Sequence, residues 1–183
     1  MDFLSKAWWV KDGYKNPDPE SSSYAGVVSI ERICILLTHY AMHGVPVTAE
    51  DVRNMYLQDT TSEKHYVICG PEFLLENTGK KVIITRALYG GKDAGRDFWY
   101  HLRSFIIFLG FESSQADPDV WVRKSTRKDE VTEYYKYMLL YTDDCLVMSD
   151  QGEFLLRNYT GKYFNLKEES IGPPSKYLGG KLQ

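Results

Sequence analysis

The chain has 183 residues, 43% hydrophobic and 26% charged, which is a globular mixture and excludes a disordered segment. Its net charge of −3 argues against a domain that holds phosphate backbones by charge alone. No apolar run approaches the roughly 20 residues of a membrane span, and Cys34, Cys69 and Cys145 show no CxxC spacing, which excludes a disulfide framework and a cysteine-based zinc site.

The length suits one domain, or one domain with a small appendage. The N-terminal MDFLSKAWWVK lacks the apolar core of a signal peptide. The three cysteines read as free thiols in a reducing compartment, and an intracellular setting, cytoplasm or nucleus, is expected. Charge is uneven along the chain. Between Lys80 and Arg103 six basic residues stand against Asp93 and Asp97. On composition alone that is a solvated helix face.

Residues 14–26 are rich in Pro, Ser, Asn and Gly and read as a loop. A helix follows, with Ser29 as N-cap, Ile30, Ile33, Leu37, Tyr40 and Ala41 as its apolar stripe, and Gly44 closing it. Alternation from Val47 predicts a strand running into Asp51 and Val52. Lys64–Cys69 and Lys81–Thr85 read as two more strands. The second helix starts near Asp93 or Ala94 and stops at Gly110. A strand at 119–123 precedes a hairpin of Tyr134–Tyr141 and Cys145–Met148, turning at Thr142–Asp143–Asp144. Asp150 with Glu153 resembles a capping box before a third helix that ends near Gly161, and Lys162–Lys167 reads as a last strand. This order is close to the split βαβ plan, an antiparallel sheet with helices on one face and the other face open to a ligand.

Three carboxylates carry the chemistry. Asp143 and Asp144 sit at a hairpin tip between the apolar runs YMLLY and CLVM. Like charges side by side repel and raise each other's pKa, and a hairpin turn needs no such pair. Neutralisation by a hard cation such as Mg²⁺ accounts for them. Asp51 ends the strand expected beside the hairpin, so its side chain meets Asp143 at the sheet surface. Adjacent acids at a turn are common, and Asp often marks a strand end, so the weight lies in the combination.

The blocks DVRNMYLQ (51–58), RALYGGKDAGRDFW (86–99), ADPDVWV (116–122), YTDD (141–144) and KYLGG (176–180) together resemble the reverse transcriptase of copia-type (Ty1/copia) LTR retrotransposons. The resemblance implies an α+β fold: a polymerase palm of split βαβ (ferredoxin-like) type with partial fingers. Residues 1–46 would be a partial fingers segment with its helix. Residues 47–183 would be the palm, with fingers strands inserted at about 60–90 and a primer-grip region starting at 176–183. The implied activity is RNA-directed DNA synthesis with Mg²⁺, or Mn²⁺ in its place, from deoxynucleoside triphosphates on a primed RNA or DNA template. Implied partners are the flanking polyprotein domains, integrase and ribonuclease H, with no membrane; the family's setting is a virus-like particle.

Carried over residue by residue, Asp51 and Asp143 are the principal metal ligands and Asp144 the supporting acid, with the Val52 carbonyl completing the coordination. Tyr56 falls where an aromatic ring blocks a sugar 2′-hydroxyl; its alternative is a core aromatic. Arg53 and Asn54 lie where backbone N–H groups face the triphosphate. Gly90 and Gly91 allow close approach of template or nucleotide, or form a plain turn. Lys92 and Arg96 add positive charge, and Tyr141, Leu178 and Gly179 lie in the nucleic-acid-facing YTDD and KYLGG blocks. A general-acid lysine is expected near the final strand, with Lys162 and Lys167 both candidates.

Three departures stand out. Trp8 replaces the arginine of a Lys-Ala-Arg fingers motif, leaving Lys6, with Lys11 as a substitute. Asp93-Ala94-Gly95 replaces the family's Gln-Ala-Pro and adds an acid. The 183 residues hold no thumb and no ribonuclease H segment, so a fragment with little grip on duplex is expected. The rival expectations are a noncatalytic nucleic-acid-binding or partner-binding domain, or an inactive remnant, on the same scaffold.

Overall fold

The computed structural model describes residues 9–15, 18–20, 22–178 and 180–182. The chain divides into two compact units. One takes Met1–Ala25 with Tyr56–His101; the other takes Gly26–Met55 with Leu102–Gln183. The class is mixed α/β with antiparallel sheets.

The larger unit is built on a five-stranded antiparallel sheet. Its strands are β1 (Val47–Asp51), β4 (Glu112–Ser113), β5 (Val120–Thr126), β6 (Glu133–Tyr141) and β7 (Asp144–Met148), in the order β1-β7-β6-β5-β4; β2 and β3 belong to the other unit. Directly opposed residues share a face. One row therefore joins Ala49, Leu146, Leu139 and Val120, and the next joins Thr48, Val147, Met138 and Trp121.

Both faces are covered. Helix α1 (Ile30–Met42) packs Ile33 and Tyr40 with Val120, Leu139, Leu146 and Met148 on the first face. On the second, Gly152 lies against Thr48 and Val147, and Arg103 stacks over Trp121. The expected plan of helices on one face and an open second face is corrected accordingly. The apolar stripe of α1 is buried only by occupying the face that plan leaves open.

Helix α1 begins as expected. The Ser29 Oγ accepts from the Arg32 N–H at 3.4 Å. Gly44, at φ +59°, follows its end. The ADPD block serves this junction: Asp117 Oδ2 accepts from the Ser29 N–H at 3.1 Å, and a Cβ on Gly26 would strike the Asp119 carboxylate. Helix α2 (Ala94–Phe108) runs to Gly110 at φ +80°.

The third helical stretch differs from expectation. It comprises α3 (Gly152–Leu155), a π-helical turn Leu156–Thr160, and α4 (Gly161–Tyr163). No side chain caps it at Gln151. Asp150 instead pairs with Arg127 at 2.9 Å and accepts from the Lys128 N–H at 3.3 Å, so the capping box is not formed. The strand expected at Lys162–Lys167 is also absent. Lys162 is helical, and beyond it Leu166 makes a single antiparallel bridge to Val52. A short hairpin, β8 (Lys176–Tyr177) and β9 (Gly180–Lys181), ends the described chain, with Tyr177 buried in the α1-side core.

The smaller unit carries the hairpin of β2 (Thr60–Ile68) and β3 (Lys81–Arg86), and the first two turns of α2. Gly90 adopts φ +83°, and a Cβ there would lie 2.1 Å from the Lys11 carbonyl oxygen. A Cβ on Gly13 would likewise strike the Gly90 carbonyl oxygen. The Lys11 N–H donates to the Tyr89 carbonyl at 2.7 Å. These two glycines let the chain cross itself.

Candidate polymerase site

Strand pairing builds the centre of the site. Asp51 is the last residue of β1 and Asp144 the first of β7, and the two are direct partners in the antiparallel ladder. Their side chains therefore leave the same face. Tyr141 completes the row on β6. The row lies at the hairpin-tip end of β6–β7, while α1 reaches Tyr135 and Tyr137 at the other end, through the Tyr40 hydroxyl and ring.

Asp143 occupies the turn with Thr142, whose φ is +52°. The Thr142 hydroxyl lies 3.0 Å from Asp143 Oδ1. The Asp143 carbonyl accepts from the Val52 N–H at 2.9 Å, tying the turn to the end of β1. Among the described residues the three aspartates are not the tightest donor set; that set lies elsewhere in the chain.

The electrostatics are those of a crowded anionic site. Asp144 is pushed up to about 6, first by burial, then by the charges of Asp143 and Asp51, with Lys167 opposing. Lys167 donates to Asp51 Oδ2. Asp51 Oδ1 is buried and has no hydrogen-bond partner. The Asp51 main chain is pinned from the same side: its N–H donates to Ser170 Oγ at 2.9 Å and its carbonyl accepts from the Lys167 N–H at 3.0 Å. Three carboxylates, one with an orphaned buried oxygen, fit a hard divalent cation.

Sequence reasoning left Lys162 and Lys167 undecided. Lys167 is the one at Asp51, and Lys162 lies on α4. Ser170 and the buried Glu50 were missed. Glu50 gives no motif, yet it is 2% exposed beside Asp51 and burial pushes its carboxyl up to about 8.

The remaining expected residues are distributed as follows. Val52 is buried. Arg53 pairs with Glu169 at 3.8 Å, and Asn54 adopts φ +47°. Leu178, at φ +45°, packs against the α1-side core. In the smaller unit the Tyr56 ring stands edge-on to Tyr89 and Phe98, with centroids 4.7 and 6.4 Å away. Lys92 pairs with Asp18 at 2.7 Å. The Gly91 N–H closes a turn on Leu88 at 3.0 Å, and Gly90 is approached by Lys11. Arg96 is not a surface cation: it is buried, donating to Asp97 Oδ1, Ser62 Oγ and the Ser22 carbonyl. Lys6 and Gly179, and Trp8 with them, lie outside the described residues.

Comparison with known proteins bears on this arrangement. The family model "Reverse transcriptase (RNA-dependent DNA polymerase)" matches residues 3–183. The chain belongs to the reverse transcriptase family. Relatives of this reverse transcriptase include the Retrovirus-related Pol polyproteins from transposons RE1 and RE2 of Arabidopsis thaliana, at 28% identity over 82% of the chain and 29% over 78%. A third is the Pol polyprotein from transposon TNT 1-94 of Nicotiana tabacum, at 27% over 87% of the chain. They support the copia-type assignment. The reverse transcriptase chain spans only 10% to 12% of the length of these polyproteins. No helix among its described residues is long and apolar enough to cross a membrane.

Proposed function

We propose that this reverse transcriptase domain performs two-metal nucleotidyl transfer from deoxynucleoside triphosphates to a primer 3′ end, directed by an RNA or DNA template. The observation that carries this reading is the ladder pairing of Asp51 with Asp144, with Asp143 at the adjoining turn and a buried Asp51 oxygen left without a partner.

Asp51 and Asp143 are the principal ligands and Asp144 the supporting acid, with the Val52 carbonyl as a further donor. When bound, Mg²⁺ or Mn²⁺ supplies Lewis-acid activation of the attacking 3′-oxygen and charge neutralisation on the triphosphate. The protein's share is preorganisation. The Asp51 N–H donating to Ser170 Oγ and the Asp51 carbonyl accepting from the Lys167 N–H fix Asp51, and the Val52 N–H holds the Asp143 turn, so the carboxylates need not reorganise during reaction. Lys167, already beside Asp51, is placed to give a proton to the departing pyrophosphate.

Residues 1–46 serve as a partial fingers segment with its helix, and residues 47–183 as the palm, with fingers strands inserted at about 60–90. Tyr56, its ring fixed by Tyr89 and Phe98, acts as the gate against a 2′-hydroxyl. Arg53, Asn54, Lys6, Gly90 and Lys92 serve the nucleotide; Gly91, Arg96, Tyr141, Leu178 and Gly179 serve the nucleic acid. For Arg96 that service is indirect, because its buried guanidinium braces Ser62 and Asp97. In the parent polyprotein, integrase and ribonuclease H domains flank this segment.

The test is primer extension on a primed RNA template with Mg²⁺, comparing wild type with Asp143→Asn. Loss of a metal ligand costs several kcal/mol of transition-state stabilisation, so extension falls by at least about 10³-fold. Equal incorporation by the two proteins overturns the proposal.

A further inference from the structure

Asp93 is one of the departures from the family pattern, and polymerase chemistry gives it no role. Its side chain is 4% exposed. Asp93 Oδ2 accepts from Thr61 Oγ1 at 2.7 Å and lies 3.1 Å from His65 Nε2. Glu63 is two residues from His65 on β2, so both side chains leave the same face of the strand. One donor atom from each of Glu63, His65 and Asp93 lies within 4.8 Å of the others, and among the described residues no other His, Cys, Asp or Glu trio does so. Independently, Glu63 Oε1 is buried without a hydrogen-bond partner.

We infer that Glu63, His65 and Asp93 form a binding site for a single divalent transition-metal ion of the Zn²⁺ type, separate from the aspartates of the polymerase site. The imidazole nitrogen is a borderline donor that suits Zn²⁺ and disfavours Mg²⁺, and Zn²⁺ also accepts the two carboxylate oxygens. Three protein ligands leave a fourth position for water. Thr61 fixes the Asp93 carboxylate from behind, as outer partners do at metal sites. Glu63 and His65 stand on β2, and Asp93 immediately precedes α2. The ion therefore staples the β2–β3 hairpin to the start of that helix. The Lys11 ammonium sits within the field of Asp93 and Glu63 and is the competing countercharge. The inference does not rest on the polymerase reading.

The experiment uses the whole chain carrying Cys34→Ser, which removes an exposed thiol, and Asp143→Asn, which removes the other carboxylate site. Titration is with Zn²⁺ alone. Expected are one equivalent bound and a rise in melting temperature of roughly 5–10 °C at a hundredfold excess over Kd. His65→Gln weakens binding by at least about 100-fold, and Lys11→Met tightens it. Should His65→Gln fail to fold, the ring resonances of the four histidines decide in the parent protein. Saturable shifts at His65 alone support the site. No binding, an unchanged Kd in His65→Gln, or shifts centred on another histidine overturn it.

Discussion

Asp51 and Asp144 face each other as direct partners across β1 and β7, although 93 positions separate them in the chain. The sheet thus forces two carboxylates onto one surface, with a third at the adjoining turn. Burial and mutual repulsion then hold Asp144 up at about 6. The folded protein binds a proton there more tightly than the unfolded chain, whose Asp titrates near its ordinary value of 3.8. Stability of the metal-free protein therefore falls as pH rises from about 4 to about 6. On the proposed metal-binding role, Mg²⁺ relieves that repulsion above pH 6. Thermal melting at pH 5 and pH 7.5, with and without Mg²⁺, should show stabilisation by Mg²⁺ chiefly at the higher pH, and Asp144→Asn should abolish that difference.

Glu50 makes a second, metal-independent contribution of the same sign. Its carboxyl is buried, its Oε2 has no partner, and burial holds it up at about 8. A raised acid binds extra protons in the folded state, so stability drops between about pH 4.5 and pH 8. Glu50→Gln removes that slope. Denaturant unfolding at pH 8.5 should show the variant more stable than wild type by roughly 1–3 kcal/mol.

Lys167 separates structural from chemical roles. Its pair with Asp51 is partly exposed, with side chains 38% and 26% accessible, so Lys167→Met should change stability by less than about 1 kcal/mol. Primer extension should fall by about 10²–10⁴-fold if the ammonium supplies a proton to pyrophosphate.

The crossing at Gly90 carries a stability prediction. Gly79 and Gly90 share a positive φ, +82° and +83°, but a Cβ on Gly79 meets open space. Gly79→Ala therefore costs only backbone strain, about 1–2 kcal/mol. Gly90→Ala adds a collision with the Lys11 carbonyl and should cost distinctly more in denaturant unfolding.

The sheet was legible wherever local pattern and burial agreed. Alternation marked β1 and β5, and the paired apolar runs around Asp143–Asp144 marked the hairpin. The 162–167 segment misled because Phe164 and Leu166 alternate with exposed residues as in a strand, yet only Leu166 finds a bridging partner. The Asp150–Glu153 capping box failed because Arg127 claims Asp150. Arg96 sits in a basic stretch, and nothing local reveals that Ser62, 34 positions away, and Asp97 bury it. The Lys167–Asp51 contact spans 116 positions, and no local spacing encodes such a pair.

The central claim is that Asp51, Asp143 and Asp144 together hold divalent cations at the end of the sheet. Mn²⁺ titration of the isotope-labelled chain, followed by paramagnetic broadening of backbone amides, tests it most directly. The account predicts that low Mn²⁺ erases signals around residues 51–53 and 141–145 in wild type and spares them in Asp143→Asn. Broadening that bypasses those residues, or that persists unchanged in the variant, contradicts it.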